Sequence, residues 1–245
     1  MPTPPFAGLV QTTVLAAGMA LAGWWIGDGF VEGRRAERIV TVKGLAEREV
    51  VADTALWTLR FVANGDALDA VRTEIGVHEQ AVRAFLERHG LGGETVTART
   101  LDVRDLRADP YRSGPIESRF IVAISLSVRT DAVDRVAEAA ADLPAFLAEG
   151  VVIASEFGPR GTQPVYLFTR LNDFKPELIR EATGNAREAA SQFAEDSGSK
   201  VGAIVRANQG VVQILPRDQA PGIDADSQID KIVRIVSTLD YRLVD

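Results

Sequence analysis

The chain has 245 residues, of which 46% are apolar and 25% charged, with a formal net charge of −7. That is enough to bury a substantial core as one large domain or two small ones, and the acidic balance, with no basic run interleaved with aromatics, argues against a nucleic-acid binder. There is no cysteine, which excludes disulfides, thiol catalysis and cysteine-ligated metals but fits an oxidising compartment and the cytosol equally.

Residues 1–27 carry no side-chain charge, and Val14 to Ile26 is continuously apolar or small. From Phe6 to Val31 the segment is long enough to span about 30 Å of hydrocarbon, although Gln11, Thr12, Thr13 and Asp28 weaken it. A cleaved signal peptide is the alternative, with Ala20-Leu21-Ala22 as a small-x-small site before Gly23. No Lys or Arg precedes the apolar run, and Trp24-Trp25 stand where an interfacial aromatic belt would. Residues 1–33 are therefore read as an uncleaved N-terminal membrane anchor, ahead of a folded domain over 38–245. Arg34, Arg35 and Arg38 follow the segment and, by the positive-inside rule, would place that end in the cytoplasm.

The stretch Ile39 to Ala63 opens with alternating apolar residues, breaks at Gly44 and crosses the charges Glu47, Arg48 and Glu49. It turns at Val51-Ala52-Asp53 and leaves as a second alternating run in which Trp57, Leu59 and Phe61 share a face. A period of two rich in β-branched and aromatic residues predicts two antiparallel strands, with Asp53 beside the turn. Ala67 to His89 has Val71, Ile75, Val82, Phe85 and Leu86 on one helical stripe, with Asp66 as N-cap and the Gly90–Gly93 segment ending it.

Thr95 to Leu106 reads as a strand of mixed polarity, and a polar loop over 107–118 leads to a clearer one. There Phe120, Val122, Ile124, Leu126 and Val128 alternate with smaller or polar residues, so one face is buried. Asp131 to Ala141 predicts a short helix capped by Thr130 or Asp131, broken at Pro144. Val151–Phe157 and Val165–Leu171 read as strands, and Phe174–Asp196 as a long helix with Leu178, Ala182, Ala186, Ala189 and Phe193 inward. Gly198 ends it. Val201–Leu215 and Ile229–Val244 close the chain as long strands, with Gly202 and Gly210 marking a bulge or a close backbone approach. The expected fold is α+β, with antiparallel sheets, long helices packed on one side of them, and two loosely similar ββαββ-type halves.

Val42-Lys43-Gly44 followed by Ala46-Glu47-Arg48-Glu49-Val50 and Ala52-Asp53 resembles the opening signature of the SIMPL-domain family of bacterial envelope proteins. The resemblance returns at Arg206-Ala207-Asn208-Gln209-Gly210-Val211 and along Lys231 to Tyr241, and it covers residues 38 to 245. It implies a periplasmic or membrane-anchored α+β protein that self-assembles and is linked to stress protection. It also implies a folded domain outside the cytoplasm, against the charge bias after the apolar segment. The resemblance decides that expectation: single-pass in the bacterial inner membrane with the domain in the periplasm, or secreted there after signal cleavage.

Little in the sequence points to chemistry. His78 and His89 are the only histidines; on one helix they lie about 16 Å apart and cannot share a metal. Asp224, Asp226 and Asp230 lack the glycine and glutamate that complete an acidic calcium loop. Asp102, Asp105 and Asp109 alternate with Arg99, Arg104, Arg107 and Arg112, as expected of ion pairs on an exposed face. No nucleophile elbow, phosphate loop, dinucleotide fingerprint or zinc motif is present. The chain is read as a non-enzyme without metal or cofactor, a homo-oligomer with Val211 and Ile214 on the assembling strand. The candidate partner or ligand surface is Glu47, Arg48, Asp53, Tyr111 and Arg112, and the alternative is a monomeric module presenting the 107–118 loop.

Overall fold

The computed structural model describes residues 15–25, 38–108, 114–115, 117–148, 150–154 and 162–245. In chain order these form α1 (15–25), β1 (Ile39–Val51), β2 (Thr54–Gly65), α2 (Leu68–Arg88), β3 (Val96–Asp105), β4 (Phe120–Thr130) and α3 (Val133–Leu147). β5 (Val165–Leu167), α4 (Leu171–Asp196), β6 (Lys200–Gln209), β7 (Gln213–Pro216) and β8 (Asp230–Val244) follow. The class is α+β, built on two antiparallel sheets ordered β3-β4-β2-β5 and β1-β8-β6, with β7 also paired to β8. Two compact units divide the chain. One holds Leu45–Ala182 with Gly210–Val236, and the other holds Thr183–Gln209, Ser237–Asp245 and the described residues of Met1–Gly44.

In the larger unit the period-two stripe of β2 becomes the core. Trp57, Leu59 and Phe61 are at most 1% exposed, and they oppose Val128, Leu126 and Ile124 of β4 in register. α2 lays Val71, Ile75, Val82, Phe85 and Leu86 on this face, the stripe expected from the sequence. α3 adds Val133, Val136, Ala139, Leu143 and Phe146. Phe85 sits at the centre, edge-on to Trp57 at 6.4 Å and stacked on Phe146 at 4.6 Å. Gly90, at φ +69°, closes α2 with a left-handed cap. Its N–H donates to Glu87 O at 2.9 Å, and that of Leu91 to Leu86 O at 2.8 Å. This is the paired bonding of a Schellman motif.

A second cluster in this unit brings Ala46 and Val50 of β1 together with Phe168, Leu178, Ala182, Val233 and Ile235. In the smaller unit Val40 and Val42 meet Ala186, Ala190, Leu239 and Tyr241. Along β8 every second residue from Lys231 to Tyr241 is buried while the alternate ones stay half-exposed, the one-sided burial of an antiparallel sheet.

Several expectations are corrected. β1 and β2 are not partners: β1 pairs with β8, and β2 with β4 and β5. The sheets therefore do not follow the two expected halves, because the first strand completes the sheet of the last three. Gly44 does not interrupt β1. Asp66 does not cap α2, whose N-cap is Ala67 with no side-chain cap bond; Asp66 accepts from the Arg119 N–H at 3.1 Å instead. Pro144 lies inside α3 without ending it. An interior proline forfeits a helical bond and crowds the preceding turn, together usually costing about 3 kcal/mol or more, and this is tolerated where Leu143 and Phe146 bury the last turn.

Of the expected strand over 151–157, Ile153 forms an isolated bridge to Phe61, and 155–157 lie outside the described residues. β5 stops at Leu167 and α4 begins at Leu171, three residues before the expected start. The inward stripe of α4 is Leu178, Ala182, Ala186, Ala190 and Ala194, while Phe193 is 52% exposed. Ala189 is exposed as well, so a spacing of four carries the buried face there. The expected strand Val201–Leu215 is two strands, β6 and β7, with Gly210 to Val212 between them.

The two glycines of that region do what the sequence suggested. The register of β6 against β8 shifts on both sides of Ile204, next to Gly202. A Cβ on Gly210 would lie 2.8 Å from Val236 O, the acceptor of the Gly210 N–H. Gly210→Ala is therefore expected to destabilise the fold by about 1–3 kcal/mol, measured as a lower urea midpoint; an unchanged midpoint would show that the strand gives way without loss.

Among the described residues no helix is long and apolar enough to cross a membrane. Most of the expected anchor over 1–33 lies outside them. Its described part, α1, is exposed along its whole length, including Leu15, Met19, Leu21, Trp24 and Trp25.

Candidate assembly and binding surfaces

Of the charged residues of the 47–53 stretch, Glu47, Arg48 and Asp53 each have a partner within the larger unit. Glu47 accepts from Arg234 Nε. Arg48 donates to both carboxylate oxygens of Glu177, at 3.0 and 3.3 Å, with Glu181 at 3.7 Å. This hydrogen bonding holds the Glu177 carboxyl below its ordinary value.

Asp53 is the most constrained of them, with a side chain only 14% exposed. It accepts from the backbone N–H groups of Thr169 (2.9 Å) and Arg170 (3.2 Å), and from the hydroxyls of Thr169 (2.9 Å) and Thr54 (3.0 Å). Burial pushes its carboxyl up, and the bonds from Thr169, Thr54 and Arg170 together outweigh that and leave it below the ordinary value. The backbone on either side is tied too: Asp53 N–H donates to Leu167 O at 2.9 Å and Ala52 N–H to Ile229 O at 2.8 Å. Asp53 thus latches the corner between β1 and β2 to the chain entering α4, instead of bonding the backbone of its own turn. Of the candidate partner surface, Glu47, Arg48 and Asp53 are drawn into internal contacts; Tyr111 and Arg112 lie outside the described residues.

The two residues nominated on the assembling strand are placed differently. Val211 is 86% exposed. Ile214, on β7, is half-buried against the cluster of Phe168, Leu178 and Val233. Ile204 and Val205 of β6 are exposed at 44% and 45%, and β6 ends its sheet. An edge strand with exposed apolar side chains offers unpaired N–H and C=O groups to another chain.

His89 lies 3.6 Å from Asp142, with its ring 4.9 Å from Phe85; among the described residues His78 has a buried Nδ1 without a partner. Among the described residues no group of three or more His, Asp or Glu is placed to hold a metal ion. The Asp224–Asp230 loop is organised around a cation of the protein's own. Lys231 is 1% exposed, and its ammonium donates to the carbonyls of Ala225 and of Gln228, the latter at 2.8 Å. Burial pulls its pKa down, with Asp226 opposing. Its place was readable from β8, where Lys231 shares the parity of buried Val233 and Ile235.

One surface was missed by sequence reasoning. Between α2 and β3 lies a groove of about 430 Å³, floored by Ile75, Val122 and Ile124 and bordered by Leu101 and Val103. Leu101 is 53% exposed and Val103 49%. At its rim Glu79 binds Arg99 at 2.7 and 2.8 Å and Arg83 at 2.9 Å, and the hydrogen bonds from Arg99 keep its carboxyl below the ordinary value. The available signal was Leu101 and Val103 two residues apart in an otherwise polar strand. The expected Asp–Arg pairs are partly present: Asp102 meets Arg60 and Arg104, and Asp105 meets Arg119, whereas Arg99 goes to Glu79.

Compared with known proteins, residues 40–231 match the family described as SIMPL, protein of unknown function (DUF541). No curated protein matches the chain.

Proposed function

We propose, since the chain belongs to the SIMPL family, that it works without chemistry of its own, by self-association at the bacterial inner membrane. The folded domain stands in the periplasm behind an N-terminal anchor and helps maintain the envelope under stress. The observation that carries this reading is the outer edge of β6, unpaired among the described residues, with the apolar side chains of Ile204 and Val205 left in water; in the larger unit Val211 is exposed as well. The exposed apolar side chains of α1 support attachment to lipid, the environment that such a surface fits.

Placing a charge on the nominated exposed residue tests this directly. Val211→Lys is expected to lower the mass of the assembly in sedimentation velocity while leaving stability within about 0.5 kcal/mol, as for other exposed positions. An unchanged mass would remove Val211 from the assembly. Ile214→Lys is not a clean probe, because Ile214 packs against the core.

A further inference from the structure

We infer that the free edge of β3 pairs antiparallel with the same edge of a second copy, about a two-fold axis at Asp102; the inference rests on the assembly reading and adds a second contact to it. β3 ends its sheet, and among the described residues nothing pairs with its outer side. The backbone groups it presents follow from its ladder with β4. Leu106 N–H donates to Arg119 O at 2.8 Å, and the partners run from Asp105↔Phe120 back to Arg99↔Leu126 without a shift. Hydrogen-bonded positions alternate in an antiparallel ladder, so Leu106, Arg104, Asp102 and Thr100 direct their amides to β4. Arg99, Leu101, Val103 and Asp105 then direct theirs outward. Their side chains share one face, since Leu101 opposes buried Ile124 and Val103 opposes buried Val122.

A symmetric pairing has to set outward residues against outward residues, which leaves a few centres. About Leu101, Arg99 would face Val103 and Leu101 itself. About Val103, Leu101 would face the carboxylate of Asp105. About Asp102, Arg99 faces Asp105 of the second copy and Leu101 faces Val103 of the second copy, with all four at hydrogen-bonded positions. That centre matches opposite charges and apolar side chains along the face that Arg99, Leu101, Val103 and Asp105 share, the combination that stabilises cross-strand neighbours.

The charged groups are already held for it. Glu79 grips Arg99 with two bonds, and Arg119 grips Asp105 at 2.9 Å, so little side-chain freedom remains to be lost on pairing. One contact runs the other way, because Asp102 meets Asp102 of the second copy on the opposite face. Each has Arg104 at 3.0 Å and Arg60 at 3.4 Å, which places two guanidinium groups against each carboxylate. Leu101 and Val103, about half exposed in one copy, leave water in the pair.

The absence of cysteine makes the test clean. Asp102→Cys in the full-length chain, held in dodecyl maltoside and treated with copper–phenanthroline, should convert to a reducible cross-linked dimer. Residues opposed at a non-hydrogen-bonded site lie about 4.5 Å apart between Cα atoms, within reach of a disulfide. Thr100→Cys alone should not cross-link, since it would lie about 14 Å from its own copy; mixed with Arg104→Cys it should. Efficient cross-linking of Thr100→Cys alone would overturn the register. No cross-link at Asp102, with light scattering still showing an oligomer and circular dichroism a folded chain, would overturn the β3 contact and leave assembly standing. A monomer by scattering would overturn both.

Discussion

Replacing Trp57 with alanine is expected to remove about 3–5 kcal/mol of stability, a large part of the 5–15 kcal/mol that holds a typical domain folded. Trp57 is 1% exposed, so the substitution leaves a cavity in the main cluster of the larger unit, and a rigid interior closes such a void only in part. Two specific contacts are lost with the volume. The indole N–H donates to Thr162 O at 2.8 Å, and the ring meets Phe85 edge-on at 6.4 Å. Phe85 in turn stacks on Phe146 of α3, so α2 and α3 are both expected to loosen. Trp57→Phe keeps most of the apolar volume and should cost less than half as much. Urea denaturation of both variants checks this; equal losses would mean that the hydrogen bond, and not the packing, dominates.

Asp53→Ala is expected to cost about 2–3 kcal/mol, because hydrogen bonds to a charged group are stronger than neutral ones and the Thr169 and Arg170 amides lose their acceptor. It should also change the acid limb of the stability profile. The folded-state pKa of Asp53 lies below its ordinary value, so its contribution is fully present above the unfolded value of about 3.9 and is lost as pH falls through the folded one. The wild-type chain should therefore lose stability below about pH 4 more steeply than Asp53→Asn, which keeps an acceptor of similar shape but does not titrate. Glu79 and Asp105, held low by Arg99 and Arg119, add to the same window in both proteins. Identical slopes for the two would show that the latch carries no linkage.

What could be read from the sequence was the burial of single elements. The stripe of Trp57, Leu59 and Phe61 and the five inward residues of α2 follow from periods of 2 and 3.6 alone. Strand partners do not follow, because alternation states which face is buried and not which neighbour supplies the hydrogen bonds. Alternation alone therefore sets β1 beside β2, whereas its partner is β8. On α4 the pairs Ala189-Ala190 and Phe193-Ala194 are ambiguous by composition, and the large aromatic drew the stripe one residue too early. The latch at Asp53 was not legible, since its main partner stands 116 residues away. The groove beside β3 is not legible in the sequence, because two apolar residues among arginines and aspartates read as a solvated strand until α2 is placed over its neighbours.

The claim that the chain works by self-association is tested most directly by light scattering on the full-length protein in a detergent of known micelle mass, over a hundredfold range of concentration. A discrete oligomer whose mass survives dilution, and falls on introducing Val211→Lys, is the expected result. A monomer at every concentration would contradict the account and direct attention to the 107–118 loop as the surface of a monomeric binding protein.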